Sequence, residues 1–467
     1  MLRIRLVLPQ SACASHTSLR EESDDGEDLA RDSDHMTSII LRAVGAATRV
    51  FYRHEGVGGQ VPSEGPIILV ANHPNGLVDP IVLSWTTGRS LFFLAKAPLF
   101  SMPVLGFLVK RSGAIPVYRA QDGDDTASNE KTFEAVFDAL GARSAVCLFP
   151  EGKSHNEPDL QRMKTGAARM ALGAEARADY KLGVRIIPIG LVYRAKHRFR
   201  STVATWVGKP IEVGDLAALH RDDEWSAVEK LTERIVAGLR PVTLELDQWE
   251  DLPLVTLAER IDSGGATSGA PGARLPRIHA FARQLRVLRA QDPARMEELT
   301  LRGTAFRRRL QSLGLGVDDL DHNYTIGNVA NFVLRNLFWL LLGFPLVALG
   351  YILFALPYWL ARFAGHRVRT SLDIYATVQI LAGILFLIPW SAAIVVLVGL
   401  QLNWSLALFL GLLLIPAGLA ALAFHDWQGH VLGDVATFLR LGTRRRLKQA
   451  LRNERDALAL ELERLQQ

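Results

Sequence analysis

Three long apolar runs in the last third of the chain limit its possible folds more than any other feature. They cover Leu337–Leu360, Ala376–Leu400 and Trp404–Phe424, and each exceeds twenty residues without Asp, Glu, Lys or Arg. A run of that length matches the hydrocarbon core of a bilayer when it is helical. The sequence therefore predicts an integral membrane protein with its membrane region near the C-terminus.

The path of the first apolar run is open. Only Gln401–Asn403 separates the second and third runs, which predicts a helical hairpin. Arginines flank the first run on both sides, and the C-terminal tail is also basic. Because basic flanks tend to stay in the cytoplasm, the first run is predicted either to span the membrane or to enter and return, with a break near Pro345 or Pro357.

Before the membrane region, strand-like apolar runs alternate with helical patterns. The strand candidates are Ile67–Ala71, Leu91–Ala95, Ala114–Tyr118, Ala145–Phe149, Val184–Val192 and Thr202–Val207. The helix candidates are Pro80–Thr87, Val104–Arg111, Glu130–Ala142, Met163–Asp179 and Trp225–Gly238. Such alternation predicts an α/β domain in which helices cover a mostly parallel sheet.

The whole chain is predicted to have five regions. Residues 1–36 are acidic and lack apolar periodicity, so we expect a disordered segment or a native start at Met36. The α/β domain covers 37–250 and opens with an amphipathic helix, Thr37–Arg53, that packs on the domain or touches lipid. A linker, Ser263–Gly272, and a basic helix, Leu275–Leu313, fall within 251–331. The membrane region, 332–427, contains segment 337–360 and hairpin 376–424. A basic helical tail covers 428–467, and its end, Leu447–Gln467, is expected to be a solvated helix.

Charge and cysteine content favour a lipid surface over other partners. The formal net charge is +5, and basic residues lie beside apolar segments, as in proteins at anionic membranes. No zinc-finger spacing or aromatic platform is present, so no nucleic-acid partner is expected. The two cysteines, Cys13 and Cys147, are far apart in sequence and predict neither a disulfide framework nor a metal site.

Two candidate catalytic residues follow the first predicted strand. His73 and Asp79 lie in the segment Asn72–Asp79, directly after Ile67–Ala71. Open α/β sheets bind ligands at the carboxyl ends of their strands. A histidine can take a proton near neutral pH, and an acidic partner fixes its tautomer. Since no serine or cysteine accompanies the pair, the nucleophile is expected to belong to the substrate.

The spacing of this pair sets a geometric condition. Five residues, Pro74–Val78, separate His73 from Asp79. On one helix, six steps of about 100° would turn the two side chains to different faces. The pair is therefore predicted to meet only if the chain folds back at Pro74–Gly76 before a helix begins at Pro80, where Asp79 would also suit the N-cap position.

A second group of candidate residues suits a phosphate. Arg119 closes the apolar run Ala114–Tyr118, and a guanidinium can bind phosphate through two hydrogen bonds. Lys153 and, more weakly, Lys96 are further candidates for positive charge. Gly152 permits close backbone approach to a ligand.

Glu151 has two possible roles beside a phosphate. It either binds in the phosphate site directly or holds Arg119 or Lys153, and the second role is easier because a carboxylate repels phosphate. His155, four residues later, is expected to be a solvated loop histidine.

Four blocks in this order resemble the glycerophospholipid acyltransferase superfamily. They are Asn72–Asp79, Gly113–Arg119, Phe149–Ser154 with Lys164 downstream, and Ile186–Ile189. The resemblance covers most of the segment from Thr37 to about Val213. It implies an α/β acyltransferase domain, with His73 as the base and Glu151 in the acceptor-binding set. The five-residue spacing and the C-terminal membrane segments are similar to the branch that acylates glycerol 3-phosphate and dihydroxyacetone phosphate.

The resemblance implies an O-acyltransferase of phospholipid biosynthesis. Its acyl donor would be acyl-CoA or acyl-ACP, its acceptor glycerol 3-phosphate or dihydroxyacetone phosphate, and no metal or other cofactor is implied. Its partners would be membrane lipids, the thioester donor and the glycerol phosphate acceptor. Acyl carrier protein would be a further partner if the donor is acyl-ACP. The catalytic domain would lie on the cytoplasmic face. The alternatives are a 1-acylglycerol-3-phosphate (lysophosphatidate) O-acyltransferase and, in a different class, a catalytically inactive membrane scaffold, against which the four intact blocks argue.

Overall fold

The computed structural model describes residues 42–102, 105–119, 129–263, 271–321, 326–367, 372–441 and 445–464. Segment 1–36 with its expected start at Met36, and most of the Ser263–Gly272 linker, lie outside the described residues. The contacts divide the chain into two compact units. The first falls within 1–156, 160–244 and 365–381, and the second within 157–159, 245–364 and 382–467.

The described residues of the first unit form one sheet of eight strands. The strands are β1 (Tyr52–Gly58), β2 (Ile67–Ala71), β3 (Leu91–Lys96), β4 (Ile115–Val117), β5 (Ala145–Leu148), β6 (Arg185–Tyr193), β7 (Ser201–Val207) and β8 (Ile211–Glu212). Their order is β1-β7-β6-β2-β5-β3-β4, with β8 beside β6. Strands β6, β2, β5, β3 and β4 run parallel, whereas β7 and β8 are antiparallel to β6. The predicted mostly parallel α/β domain is confirmed.

Helices accompany the strands along the chain. Helix α1 covers residues 42–51, and the next helices are α2 (Val78–Thr87), α3 (Leu105–Arg111), α4 (Asn129–Gly141), α5 (Gly166–Arg177), α6 (Ala217–Asp222) and α7 (Glu224–Leu239). Short 3-10 turns occur at Ala97–Ser101, Gly214–Leu216, Arg240–Val242, Trp249–Asp251 and Asp318–Leu320. The first predicted helix, Thr37–Arg53, is too long at its end, because Tyr52 and Arg53 begin β1.

The centre of the sheet forms the core of this unit. Every residue of β2 and of β5 is buried. Helices α5 and α7 pack against β2, and α4 packs against β5. A strand covered on both faces needs apolar side chains at every position, which explains the unbroken apolar run Ile67–Ala71.

The second unit contains a bundle of four described helices outside the apolar segments. They are α8 (Leu252–Asp262), α9 (Pro271–Gln291), α10 (Pro293–Ser312) and α14 (Arg445–Arg464). The predicted single helix Leu275–Leu313 is therefore two helices. The break falls at Asp292, whose carboxylate caps α10 by accepting from the Arg295 N–H at 3.0 Å, and Pro293 suits the first position of α10.

The C-terminal helix α14 packs on α8 and α10. Its Leu451, Leu458 and Leu462 are buried. Ion pairs join Arg302 to Glu461 at 2.6 Å and Arg309 to Glu454 at 3.0 Å. The prediction of a solvated tail helix is therefore wrong, because the leucines that recur along α14 have an apolar partner surface that the sequence did not reveal.

Three apolar helices make this chain a membrane protein. They are α11 (Ile326–His366), α12 (Leu372–Gln401) and α13 (Trp404–Leu441), and they contain stretches long and apolar enough to cross a bilayer at Leu341–His366, Ile374–Gln401 and Trp404–Gln428. Large apolar side chains stay exposed along all three, as lipid-facing helices require. Helix α11 continues unbroken through Pro345 and Pro357, so the break expected there is absent.

Gly190 in β6 is expected to be essential for folding. A Cβ at Gly190 would lie 1.6 Å from the carbonyl oxygen of Val242, a backbone atom that cannot move aside easily. Gly190→Ala should lower the free energy of unfolding by at least about 2 kcal/mol, as overpacking of a dense core does. The thermal melting midpoint of the purified protein in detergent measures this. Gly166→Ala is the matched control, because a Cβ there meets no atom within 4 Å. Equal melting midpoints in the two variants would contradict the packing at β6.

Candidate active site

The predicted site residues come together at one edge of the sheet. Because β2, β5, β3 and β4 run parallel, their carboxyl ends share that edge. His73 follows β2, Lys96 ends β3, Arg119 follows β4 and Glu151 follows β5. Asp79 reaches the same edge from the first turn of α2.

His73 and Asp79 form a hydrogen-bonded pair. The distance from His73 Nδ1 to Asp79 Oδ2 is 2.9 Å. The Asp79 side chain is fully buried, whereas 17% of the His73 side chain is exposed. A carboxylate at Nδ1 favours the tautomer with its proton there, which leaves the Nε2 lone pair to accept a proton. Nε2 makes no hydrogen bond within the part of the chain that the structure describes.

A tight turn lets the two residues meet across their unusual spacing. The Asn75 carbonyl accepts from the Val78 N–H at 2.9 Å, and the Asn75 N–H donates to Asp79 Oδ2 at 2.7 Å. Helix α2 begins at Val78, two residues before the predicted Pro80, and Leu77 takes the N-cap position. Asp79 is therefore not the N-cap. It lies inside the first turn and uses its carboxylate to close the loop before the helix.

Two tyrosines complete the surroundings of Asp79. The Tyr193 hydroxyl, at the end of β6, donates to Asp79 Oδ1 at 2.6 Å. The Tyr52 hydroxyl accepts from Asn75 Nδ2 at 3.0 Å and donates to the Lys196 carbonyl. Burial, followed by the charge of Asp79, raises the pKa of Tyr193, and burial also raises the pKa of Tyr52. Both phenols therefore stay protonated as donors, and both oxygens of Asp79 are engaged.

The imidazole plane of His73 is also fixed. Its ring stacks on Phe149, with centroids 3.8 Å apart and planes 8° apart. The preceding residue, Asn72, connects the end of β2 to β6 through its side chain. Its Nδ2 donates to the Leu191 carbonyl at 3.0 Å, and its Oδ1 accepts from the Leu191 N–H at 2.7 Å. The ring can therefore present Nε2 in one direction without reorganisation.

Glu151 supports the backbone of His73. Its carboxylate accepts from the His73 N–H at 3.2 Å, from the Gln161 N–H at 3.0 Å and from His155 Nε2. The His155 N–H also donates to the His73 carbonyl at 3.1 Å. This role was not among the alternatives that the sequence offered for Glu151. The expectation of a solvated His155 is wrong, because only 11% of its side chain is exposed and it pairs with a buried carboxylate.

The loop after β5 gathers positive charge. Arg119 Nη1 donates to the Gly152 carbonyl, which draws the guanidinium from the end of β4 toward the neighbourhood of β5. Gly152 has φ +75°, and a Cβ there would lie 2.7 Å from Lys164 Nζ. Lys96 and Lys153 are exposed at the same edge. These cations suit an anionic ligand.

Comparison with known proteins identifies the region that holds this site. A family model described as Acyltransferase matches residues 56–192. This region of the chain is therefore similar to acyltransferases. The match contains every site residue proposed from the sequence, including His73, Asp79, Arg119 and Glu151.

The acyltransferase domain also has curated relatives. The chain is 38% identical to glycerol-3-phosphate O-acyltransferase 2 of Saccharomyces cerevisiae over 134 residues, which is 28% of this chain and 18% of the relative. It is 26% identical to glycerol-3-phosphate O-acyltransferase 1 of the same yeast over 445 residues, covering 72% of this chain and 58% of the relative. The chain thus spans less than two thirds of the length of either. Among solved structures, the 1-acyl-sn-glycerophosphate acyltransferase PlsC of Thermotoga maritima is 15% identical, covers 45% of this chain and 87% of its own, and gives a TM-score of 0.32.

Sequence reasoning missed four residues of this candidate site. Tyr193 ends β6 and Phe149 directly follows β5, both parallel strands beside β2, so the rule that ligands bind at carboxyl ends would have placed them near His73. Asn75 was assigned to the turn without a side-chain role. Tyr52 gave no signal, because it was assigned to the end of the predicted helix Thr37–Arg53 and β1 was not predicted.

Proposed function

We propose that this chain is an O-acyltransferase that moves a fatty acyl group from a thioester to a hydroxyl of glycerol 3-phosphate or dihydroxyacetone phosphate. The donor is acyl-CoA or acyl-ACP. The observation that carries the proposal is the fixed His73–Asp79 pair, 2.9 Å apart, with Nε2 available at the edge where Arg119 lies. Similarity to the two yeast glycerol-3-phosphate O-acyltransferases supports this acceptor class.

The reaction needs one proton to move from substrate to enzyme and back. His73 Nε2 removes the proton of the acceptor hydroxyl as its oxygen attacks the thioester carbonyl carbon. The C–O bond forms and gives a tetrahedral oxyanion. The C–S bond then breaks, and the thiolate takes the proton from the imidazolium. No acyl-enzyme forms, because the substrate supplies the nucleophile.

Asp79 makes this proton transfer favourable. As His73 becomes positively charged, the buried carboxylate at 2.9 Å stabilises the imidazolium in surroundings of low dielectric constant. The Tyr193 and Asn75 donors hold that carboxylate in place. The pair therefore acts without rearrangement during the reaction.

Arg119 positions the acceptor through its phosphate. Its guanidinium reaches the Gly152 carbonyl, which follows β5, the strand next to β2. Neighbouring strands lie about 5 Å apart, so the cation and the base are separated by a distance that suits a three-carbon phosphate ester. Lys153 and Lys96 add positive charge at the rim.

Two sets of contacts support a specific membrane topology. Helix α14 follows the apolar helices and packs on α10, which precedes them, so both lie on one side of the membrane. The start of α12 also lies near the acyltransferase domain, since the rings of Tyr375 and His197 are 6.3 Å apart.

We infer that α11 enters the membrane without crossing it, and that the α12–α13 hairpin crosses twice. With both of its ends on one side of the membrane, α11 does not cross, although it is about 60 Å long. The basic flanks of α11 and the basic tail then share the cytoplasmic side with the acyltransferase domain, in agreement with the positive-inside tendency.

Replacing His73 is expected to abolish most of the activity. His73→Ala should lower kcat by at least about a hundredfold, because a general base contributes that much or more. Initial rates with the purified full chain, acyl-CoA and glycerol 3-phosphate measure this. His220→Ala is the matched control, since His220 contacts Tyr180 away from the sheet edge. Near-equal turnover in the two variants would refute the role of His73.

Replacing Arg119 is expected to weaken the use of phosphorylated acceptors. Arg119→Ala should raise the KM for the acceptor at least about tenfold, because a charge-assisted hydrogen bond to phosphate is lost. Assays with glycerol 3-phosphate, dihydroxyacetone phosphate and a lysophosphatidate measure both the KM and the preferred acceptor. Arg177→Ala, which alters an exposed ion pair with Glu134, is the control. A strong preference of the unchanged enzyme for the lysophosphatidate would instead support the alternative function, a 1-acylglycerol-3-phosphate O-acyltransferase.

The topology predicts which connections are reachable from each side. In a Cys13→Ser background, single cysteines are placed at Ser371, Asn403 and Gln467, and sealed vesicles are treated with a membrane-impermeant maleimide. Cys147 is buried, and burial raises the pKa of its thiol, so it should stay unlabelled. Only position 403 should react from the side opposite the acyltransferase domain. Labelling of position 371 from that side would mean that α11 crosses.

A further inference from the structure

A basic cavity lies at the other end of the sheet from Arg119. Its volume is about 430 Å³, and its lining residues are Arg49, Tyr52, Arg53, His54, Trp85 and Arg200. Three of these six side chains are guanidinium groups, and none is a carboxylate. Like charges gathered around one space repel each other, so an arrangement of this kind is stabilised by an anion.

Each of the three arginines is held differently. The Arg49 guanidinium lies over the Trp85 ring, 5.2 Å from its centroid. Arg200 Nη1 donates to the Val50 carbonyl at 3.1 Å, and the backbone of Arg200 has φ +60°, a conformation that costs energy for a residue other than glycine. The Nε atom of Arg53 is buried without a hydrogen-bond partner in the described residues. Such a buried donor costs free energy until a ligand satisfies it.

The arginines alone supply the positive charge of the cavity. Burial, and secondly the charge of Arg49, lower the pKa of His54, so this imidazole is neutral near pH 7. Its Nε2 lies 3.0 Å from Thr205 Oγ1 and 3.3 Å from Thr86 Oγ1. His54 therefore lines the cavity as a neutral polar side chain whose orientation is fixed by these two hydroxyl groups.

The cavity is connected to the catalytic pair by direct contacts. Tyr52 lines the cavity, and its hydroxyl accepts from Asn75 Nδ2. The Asn75 backbone in turn binds Asp79. Strand β1, which carries Tyr52 and Arg53, is three strands from β2 on the side away from β4. At about 5 Å per strand, the cavity lies about 15 Å from the base.

We propose that this cavity binds the phosphoryl group of a second phosphate-bearing molecule, separate from the acceptor held near Arg119. Guanidinium groups at several angles around one space suit a phosphate, which offers several oxygens. Two kinds of molecule carry a phosphoryl group that could reach this cavity. One is the nucleotide half of a coenzyme A thioester, whose flexible arm separates the phosphates from the reacting carbonyl. The other is the phosphodiester of an anionic lipid. The first source rests on the proposed acyl transfer, and the second does not.

Direct binding measurements distinguish these sources. Adenosine 3′,5′-bisphosphate and dihexanoyl phosphatidylglycerol are titrated separately by calorimetry into the purified full chain in nonionic detergent. The test variant is the double change Arg49→Gln and Arg53→Gln, which leaves Arg200 and its backbone contacts intact. The matched control is Arg42→Gln, an exposed arginine on the same helix, α1, that does not line the cavity. We expect the double variant to bind one of the two probes at least about tenfold more weakly than the control.

Each result has a defined meaning. Loss of bisphosphate affinity assigns the cavity to the donor nucleotide, and loss of phosphatidylglycerol affinity alone assigns it to a lipid. Equal affinities of the double variant and the control for both probes would overturn the proposal. His73→Ala should bind the probes as the unchanged chain does. Binding is measured without turnover, so a failure of the proposed reaction leaves this result readable.

Discussion

The buried carboxylate of Asp79 is the group on which the geometry of the site depends. It accepts hydrogen bonds from the His73 ring, the Asn75 backbone and the Tyr193 hydroxyl. These three donors come from the loop after β2 and from the end of β6, so one side chain joins two neighbouring strands to the start of α2. A buried charge is tolerated only when it is paired and hydrogen-bonded. The hydrogen bonds that the Asp79 carboxylate requires therefore determine the conformation of the loop after β2, and this loop determines the position of the His73 ring.

The sequence predicted the sheet better than it predicted the contacts around the base. Strands β2 and β5 are buried on both faces, and this burial appears directly as unbroken apolar runs. Strand β1 was missed because it is an edge strand that follows α1 without a turn residue between them. Local pattern carries no information about such a change from helix to strand. From the sequence, the pairing of His73 with Asp79 could be predicted only on the condition that the chain folds back at Pro74–Gly76.

Contacts between distant segments account for the remaining errors. The His155 N–H is bound to the His73 carbonyl because the loop after β5 folds back over the loop after β2, and α14 is buried against α8 and α10, which precede it by more than a hundred residues. Neither partner is local in sequence. A polar or amphipathic pattern is the same whether its partner is water or another helix, so single-sequence reasoning favoured solvent in both cases.

The distribution of charge at the sheet edge follows from the two anionic groups that the proposed site must hold. Arg119 and Lys153 lie on one side of His73, and the arginine-lined cavity lies on the other. The acidic side chains between them, Asp79 and Glu151, are buried and engaged in hydrogen bonds. The charge of Asp79 is therefore directed at the His73 ring, where it stabilises an imidazolium, and that of Glu151 is directed at the His73 backbone and His155. Both charges are shielded from the phosphates. If either carboxylate faced solvent instead, it would repel the substrates that the surrounding cations attract.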